Sequence, residues 1–350
     1  MKKSFLTILQ YLFFLGLGIF FVWLTIRDIT AEDWNHIKLS VKNARHWLVV
    51  PVIFLLFLSH YSRALRWKLL MEPLGYNPST FNTFAAVMIG YLVNAGVPRL
   101  GEVVKCTILS RYENVRADKL VGTIVVERVI DLISLMTVFT MALLFQWNII
   151  GNFTLKLFGD FFRNSAGETS FTKLALFLSF VLLFCLFFYY ILKRFGHIDV
   201  VVKIKNILKG ISQGLGSIKL IKHKGLFIFH SVFIWVLYLA STTIGIYALR
   251  ETEHLGIGGG LSTLGIGSIG MIITPGGIGA YPLLVSELIG LYGLDVKTTG
   301  RALGWLLWSV QTIIILGAGL TFFGLISYYN KKRQKGESIQ QHSEQDSLPS

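Results

Sequence analysis

Long apolar runs constrain the fold of this chain more than any other feature of its sequence. An α-helix needs roughly 20 apolar residues to cross the hydrocarbon core of a bilayer, and only helices or closed barrels satisfy the backbone there. The runs do not alternate as barrel strands do, and only 15% of the residues are charged, against about 25% in soluble domains. The sequence therefore predicts an all-α fold, a polytopic membrane helix bundle. The runs are Phe5–Ile26, Trp47–Ser59, Leu132–Trp147, Leu174–Leu192, Gly225–Leu249 and Leu303–Ser327.

The distribution of basic residues predicts the orientation of this bundle. The formal net charge is +14, but the bases lie at helix ends and in loops, where anionic headgroups and the positive-inside rule explain them better than nucleic acid does. We predict that 61–80, the basic loop 193–224 and the disordered tail 329–350 are cytoplasmic. Both termini then lie on the cytoplasmic side, and we expect a multi-pass protein of the inner (cytoplasmic) membrane.

Two apolar regions are interrupted by proline and glycine. Phe81–Ser110 is broken at residues 96–101, and Gly256–Leu294 is broken at residues 274–279. Proline removes a backbone donor and glycine tolerates a reversed backbone, so each region predicts two half-helices that meet at a break. The break residues are Pro98, Gly101, Pro275, Gly276, Gly277 and Gly279.

The breaks and the loop charges together predict an inverted repeat. Residues 61–80 and 110–119 are both basic, so the first broken region should enter and leave from the cytoplasm. If the last long helix crosses once, the second broken region enters and leaves from outside. The transmembrane domain 1–328 then divides into halves 1–146 and 173–328 of opposite orientation, a plan common in transporters with a midplane site. We expect about six full spans plus two re-entrant hairpins. The alternative is about eight ordinary, kinked spans.

Three ionisable residues, Glu127, Arg128 and Asp131, lie inside an otherwise apolar stretch. Charges at depth cost at least about 2.5 kcal/mol each and usually face partners in a bundle interior. Helical spacing places all three within about 100° of one another, so that one face can carry them. Two interpretations stay open. The residues form a self-neutralising cluster that holds helices together, or they line a lipid or ion path in which a carboxylate is protonated in transit.

Further polar residues flank the breaks and the end of an earlier helix. Half-helix N-termini after Gly101 would offer free amides to an anion, and Arg99 could hold a phosphate bidentately. Arg99 and Lys105 could equally be interfacial side chains that pair with Glu102. The candidate lipid- or anion-binding residues are Arg66, Asn94, Arg99, Lys105 and Arg128, and the candidates for charge balance or proton coupling are Glu102, Glu127, Asp131 and Glu287.

Motifs of covalent chemistry are not evident in the sequence. There is no P-loop and no His-Glu-x-x-His, and Cys106 and Cys185 have no metal or disulfide spacing. We therefore predict no catalytic residue, no metal, no cofactor and no enzymatic activity.

Several motifs, taken together, resemble those of one family over roughly residues 5–328. They are Arg63-x-x-Arg66-Trp67 with Pro73-Leu74-Gly75, Asn94 with Leu100-Gly101-Glu102-Val103-Val104-Lys105, the stretch Gly122 to Asp131, and Pro275-Gly276-Gly277-Ile278-Gly279. This pattern is similar to the transmembrane region of lysylphosphatidylglycerol synthases, also called the flippase-like family. In its best-understood members a cytosolic domain transfers lysine onto phosphatidylglycerol, and the membrane region moves the product to the outer leaflet. This chain stops at Ser350, so we expect no synthase activity.

The resemblance and the buried charges lead to one expected function and two alternatives. We expect a lipid translocase or lipid-binding transporter for an anionic or aminoacylated phospholipid or a polyprenyl-linked lipid. Arg66, Arg99 and Arg128 would receive the headgroup, and acidic residues would balance them. One alternative is a noncatalytic membrane partner of a separate lipid-modifying enzyme, docked through the basic loop, and the other is a membrane-embedded enzyme. Membrane lipids and such an enzyme are the expected partners, with no nucleic acid; the oligomeric state is not predicted.

Overall fold

The prediction of an all-α bundle is confirmed by the computed structural model, which describes residues 2–151, 179, 183 and 221–346. Every element in these residues is helical. Short 3-10 turns at His46–Leu48 and Glu72–Leu74 flank α3, and a π-helical turn at Trp147–Gly151 follows α6. The helices of the first part of the chain are α1 (Lys2–Ile26), α2 (Ala31–Lys42), α3 (Val49–Met71), α4 (Thr80–Gly96), α5 (Leu100–Glu113) and α6 (Ala117–Phe145).

The second part of the chain follows a comparable order. The expected span at 174–192 and nearly all of the basic loop 193–224 lie outside the described residues. The helices are α7 (Lys224–Ile246), α8 (Gly256–Ile273), α9 (Ala280–Leu291) and α10 (Arg301–Asp346), with 3-10 turns at Arg250–Leu255 and Pro275–Gly277 and a π-helical turn at Val296–Gly300.

By length and composition, five segments in the described part of the chain are long and apolar enough to cross a membrane. A sixth is obtained if α1 and α2, which are bent by 99° at the break between them, count as one span. Neither α4 nor α5 of the first broken region is among these segments. In the second broken region, α8 lies within one of them, Arg250–Ile273. The total number of spans and their orientation stay predictions. The segments are His46–Leu74, Ala117–Phe145, Lys224–Ile246, Arg250–Ile273 and Val296–Lys335.

The first break separates α4 from α5 at residues 97–99. The two helices pack so closely that a Cβ atom on Gly101 would lie 1.8 Å from the carbonyl oxygen of Gly90. Glycine is therefore required at position 101 for this approach. The Asn94 side chain reaches across the turn, where its Oδ1 accepts a hydrogen bond from the backbone N–H of Gly101 at 2.8 Å.

The second break, between α8 and α9, depends on left-handed backbone. Gly276, Gly277 and Gly279 have φ angles of +57°, +72° and +71°, a region that costs other residues roughly 1–2 kcal/mol each. The Thr274 hydroxyl donates to the Ile278 carbonyl at 3.0 Å and closes the turn.

The two breaks meet inside the bundle. A Cβ atom on Gly276 would lie 3.4 Å from the Cα of Ala95, near the end of α4. The indole Nε1 of Trp308, on α10, donates to the Gly276 carbonyl at 2.8 Å. The tips of the two broken regions are thus in contact.

Helix pairing follows the same pattern in both parts of the chain. α3 packs along α7, and the pairs α4–α5 and α8–α9 are the arms of the two broken regions. α4 packs against α10 while α8 packs against α6, so each broken region contacts the long helix of the other part. Two halves related by a pseudo-two-fold axis would pair in this way, which fits the predicted inverted repeat without fixing its orientation in a membrane.

Candidate functional site

Two arginines on α3 meet two carboxylates on α6. Arg63 and Arg66 are three residues apart and Glu127 and Asp131 are four apart, so each pair projects from one face of its helix. Arg66 Nη2 lies 2.7 Å from Asp131 Oδ1 and 3.5 Å from Glu127 Oε1. Arg63 Nη1 donates to Asp131 Oδ2 and lies 3.3 Å from Glu127 Oε1. These ion pairs join side chains that are more than 60 residues apart in sequence.

A third cation comes from the first broken region. Lys105, on α5, places its Nζ 2.8 Å from Glu127 Oε2 and 4.5 Å from the centre of the Trp67 ring. Trp67 is itself held by a hydrogen bond of 2.8 Å from its Nε1 to Thr123 Oγ1. We call Arg63, Arg66, Lys105, Glu127 and Asp131 the buried charge network.

Burial makes this network costly unless its charges are balanced. The side chain of Arg66 is 0% exposed, that of Glu127 4% and those of Arg63 and Lys105 9% each. Removing ions from water costs several kcal/mol per ion, which only good pairing offsets. Within the described residues the network holds three cations and two carboxylates, and so carries a net charge of +1.

The arginines also have donors that are not used. Arg66 Nε, Arg66 Nη1 and Arg63 Nε are buried and make no hydrogen bond to any residue that the structure describes. Guanidinium groups are donors only, so these atoms need an acceptor. A buried donor left without one costs about 1–3 kcal/mol.

Aromatic and histidine side chains continue the polar interior towards α7. Arg63 Nη2 donates to the Tyr238 hydroxyl at 3.4 Å. The His60 ring lies 5.0 Å from the ring of Tyr91, centre to centre, and Ser62 is hydrogen-bonded to His230 Nδ1 at 2.8 Å. The network on α3, α5 and α6 is thus extended by polar and aromatic side chains of α4 and α7.

Arg128 does not join this network, which corrects the expectation that one face of α6 carries all three charges. Its Nη2 lies 2.6 Å from Glu102 Oε1 on α5, and its side chain is 50% exposed. Successive helical residues differ by about 100° in direction, so α6 turns Arg128 away when Glu127 and Asp131 face α3. Arg128 and Glu102 instead form a separate pair at the surface of the bundle.

The other predicted site residues are dispersed. Arg99 is exposed in the first break and makes no hydrogen bond or ion pair with any described residue. Asn94 is occupied as the cap of Gly101, which takes up one of the amides expected to be free. Glu287 is 59% exposed, with its Oε1 3.7 Å from Nη2 of the buried Arg301. The expected cluster of Asn94, Arg99 and Lys105 at one anion site is therefore not formed.

Sequence reasoning underrated Arg63 and missed Tyr238. Arg63 is absent from the candidate binding residues, because a basic residue at the end of an apolar run is typical of a membrane-surface anchor. The signal available in the sequence was its spacing of three residues from Arg66, which places both guanidinium groups on one helix face. For Tyr238, in the middle of a long apolar helix, no comparable signal exists.

Comparison with known proteins agrees with the motifs. The family described as the lysylphosphatidylglycerol synthase TM region matches residues 8–319 of this chain. A UPF0104 membrane protein from Methanocaldococcus jannaschii is 27% identical over 133 residues, which is 37% of this chain and 36% of that protein. The match therefore spans about a third of the relative's length. No solved structure matches the chain significantly.

Proposed function

The chain belongs to the family of lysylphosphatidylglycerol synthase transmembrane regions, and on that premise we propose that it binds lipid headgroups inside the bilayer and translocates them. We place it in the cytoplasmic membrane, in keeping with its basic loops. The proposal gives the chain no covalent step and no enzymatic activity.

The buried charge network is the observation that carries this proposal. Ionisable residues within membrane-spanning helices are costly, and they usually mark a substrate or ion path. Here three helices contribute charges, and one of them, α5, belongs to a broken region. A purely structural cluster has no need of an excess cation or of unused guanidinium donors.

The contact between the two breaks supports a route to the site. In the proposed mechanism Arg63, Arg66 and Lys105 receive a headgroup while Glu127 and Asp131 keep the cations in place. The tips at Ala95 and Gly276 separate and close as the broken regions move, which alternates access from the two leaflets.

A charge-neutral double substitution tests the proposal. Labelled phospholipids in proteoliposomes report movement between leaflets as protection of the label from a membrane-impermeant reductant. Arg66→Gln with Asp131→Asn removes one cation and one carboxylate, which abolishes three of the five ion pairs and leaves the net charge of the network at +1. We expect lipid movement to fall by about tenfold, because charge-assisted hydrogen bonds are the strong ones.

The matched control is Arg116→Gln with Asp118→Asn. Both side chains of that pair are exposed, and we expect this variant to move lipid at the wild-type rate. The proposal fails if wild-type vesicles move no lipid faster than protein-free vesicles do, or if both double variants equal the wild type.

A further inference from the structure

Arg301, at the start of α10, is another buried arginine, and it lies outside the buried charge network. We infer that its guanidinium is a binding site for a phosphate group, close to the end of α9 that is far from the second break. The inference goes beyond the proposed function, since it requires no movement of lipid across the membrane. Either a lipid headgroup or free inorganic phosphate can supply this group, and experiment separates the two sources.

The burial of Arg301 is poorly compensated by hydrogen bonds. Its side chain is 8% exposed, and its Nε and Nη1 atoms are buried and make no hydrogen bond to a described residue. Its Nη2 lies 3.7 Å from Glu287 Oε1, which is too far for a hydrogen bond. A guanidinium is a donor only, so it needs acceptors that the described part of the chain does not supply.

The two acidic groups that act on Arg301 among the described residues lie at the protein surface. Glu287 is 59% exposed, so it stays hydrated and gains little from the pair. Asp28 also acts on Arg301, but it is 59% exposed and its Oδ2 lies 3.2 Å from Arg27 Nε. A buried cation without a buried counter-ion is costly. A bound anion would offset that cost.

Close packing on two sides fixes the backbone that carries Arg301. The residue before it, Gly300, packs so tightly on α9 that an added Cβ would lie 3.0 Å from Ser286 Cα. On another side α2 packs against α10 and the turn that precedes it, with Ile37 and Ala302 in one apolar cluster. The guanidinium is therefore held where α2, α9 and α10 meet. Such pre-organisation lowers the cost of binding a ligand.

The position of Arg301 along α10 suits the phosphate of a lipid headgroup. Trp308 is seven residues further along the helix, and its Nε1 donates to the Gly276 carbonyl at the tip of the second break. Seven residues correspond to about 10 Å of helix, and half of the hydrocarbon core is about 15 Å thick. With the tips near the midplane, as the predicted inverted repeat implies, Arg301 approaches the headgroup boundary.

The planar guanidinium also matches the shape of a phosphate. It can hold two oxygen atoms of one phosphate with parallel N–H donors. Nε and Nη2 of Arg301 lie along one edge of the group, and neither is hydrogen-bonded to a described residue. Glu287 faces this edge through Nη2, but as an exposed side chain it can turn to water when a phosphate binds.

Thermal unfolding of the full chain in an uncharged detergent tests the site. The additions are inorganic phosphate, phosphatidylglycerol, and sodium chloride at the ionic strength of the phosphate. We expect phosphate or phosphatidylglycerol to raise the unfolding midpoint of the wild type above that in chloride, because a ligand of the folded state stabilises it. The rise should shrink in Arg301→Gln. A rise with inorganic phosphate identifies a free anion as the ligand, and a rise with phosphatidylglycerol alone identifies a lipid headgroup.

The matched control is Lys297→Gln, which removes one positive charge from an exposed side chain about one turn earlier and should keep the wild-type rise. The inference is overturned if neither additive stabilises the wild type, or if Arg301→Gln keeps the full rise. An equal loss in Lys297→Gln would overturn it as well. Because no lipid movement is measured, each of these results leaves the proposed translocation standing.

Replacing the competing carboxylate should have the opposite effect. Glu287→Gln leaves Arg301 in place and frees its Nη2, so we expect the additive that stabilises the wild type to bind about two- to fivefold more tightly, in line with the small contribution of exposed pairs. Weaker binding by this variant would indicate that Glu287 and Arg301 form a structural pair and would contradict the inference.

Arg301→Lys keeps the inference testable if Arg301→Gln does not fold. The lysine retains the positive charge near Glu287 but lacks the planar fork. We expect the ligand to bind about tenfold more weakly, as the loss of one charge-assisted hydrogen bond would give. Binding as tight as that of the wild type would overturn the assignment of the guanidinium as the phosphate site.

Discussion

At the residue scale, the position of Arg66 shows how strongly a single side chain can depend on its partners. Its side chain is fully buried, it faces both carboxylates of α6, and two of its nitrogen atoms have no described partner. Breaking a buried ion pair by removing one side is strongly destabilising, because the remaining charge stays buried. Arg66 is therefore expected to contribute to stability as well as to binding.

Replacing Arg66 should destabilise the protein far more than replacing an exposed arginine. We expect Arg66→Gln to cost about 3–5 kcal/mol and the control Arg116→Gln to unfold at the wild-type temperature, since exposed pairs contribute little. Thermal unfolding in detergent, followed by circular dichroism, measures the difference. Equal midpoints for the two variants would show that the network does not stabilise the fold.

At the element scale, the close packing of α4 on α5 brings Lys105 to the network. The approach depends on two glycines that face each other, since a Cβ on Gly101 would lie 1.8 Å from the Gly90 carbonyl oxygen and a Cβ on Gly90 would lie 3.0 Å from that of Gly101. With α5 held in this way, its Lys105 side chain reaches Glu127 on α6. The first broken region therefore positions one of the three cations.

Substitution of Gly101 should open this hairpin. Gly101→Ala forces the Gly90 backbone away, and we expect a loss of about 1–3 kcal/mol, as for other overpacked sites, together with slower lipid movement. The control is Gly96→Ala, at the end of α4, where an added Cβ meets nothing within 4 Å. If Gly101→Ala unfolds at the same temperature as Gly96→Ala, the close approach of the two helices is not rigid.

At the scale of the whole molecule, the contact between the two breaks joins the two parts of the chain. A Cβ on Gly276 would lie 3.6 Å from the Cβ of Ala95, which falls within the range that a disulfide spans. If the tips must separate during transport, a covalent link at this point should stop it.

A pair of cysteines tests this motion. In a background without Cys106 and Cys185, Ala95→Cys with Gly276→Cys should form a disulfide on oxidation and block lipid movement, and a reductant should restore it. The control pairs Ala95→Cys with Gly122→Cys, a position with open space around it. Full transport by the oxidised, cross-linked protein would rule out separation of the tips.

The class of fold and the places where helices break followed from local features. Apolar length identifies spans, and proline with glycine marks a break, since both act through the backbone of a few neighbouring residues. The position of Glu127 and Asp131 on one face of α6 likewise followed from helical spacing. The partners of these charges were not, because membrane helices are apolar on their lipid-facing and protein-facing sides alike.

The sequence by itself determined that this chain is a helical membrane protein with two broken regions and charged residues at depth. Only the tertiary structure decided that Arg63 and Arg66 are the partners of α6, that Arg128 turns away to Glu102, and that the network keeps a net positive charge. The physical reason is that hydropathy and periodicity are properties of one segment. Ion pairing, by contrast, depends on which helices pack together, here α3 and α6, whose paired residues are more than 60 apart in sequence.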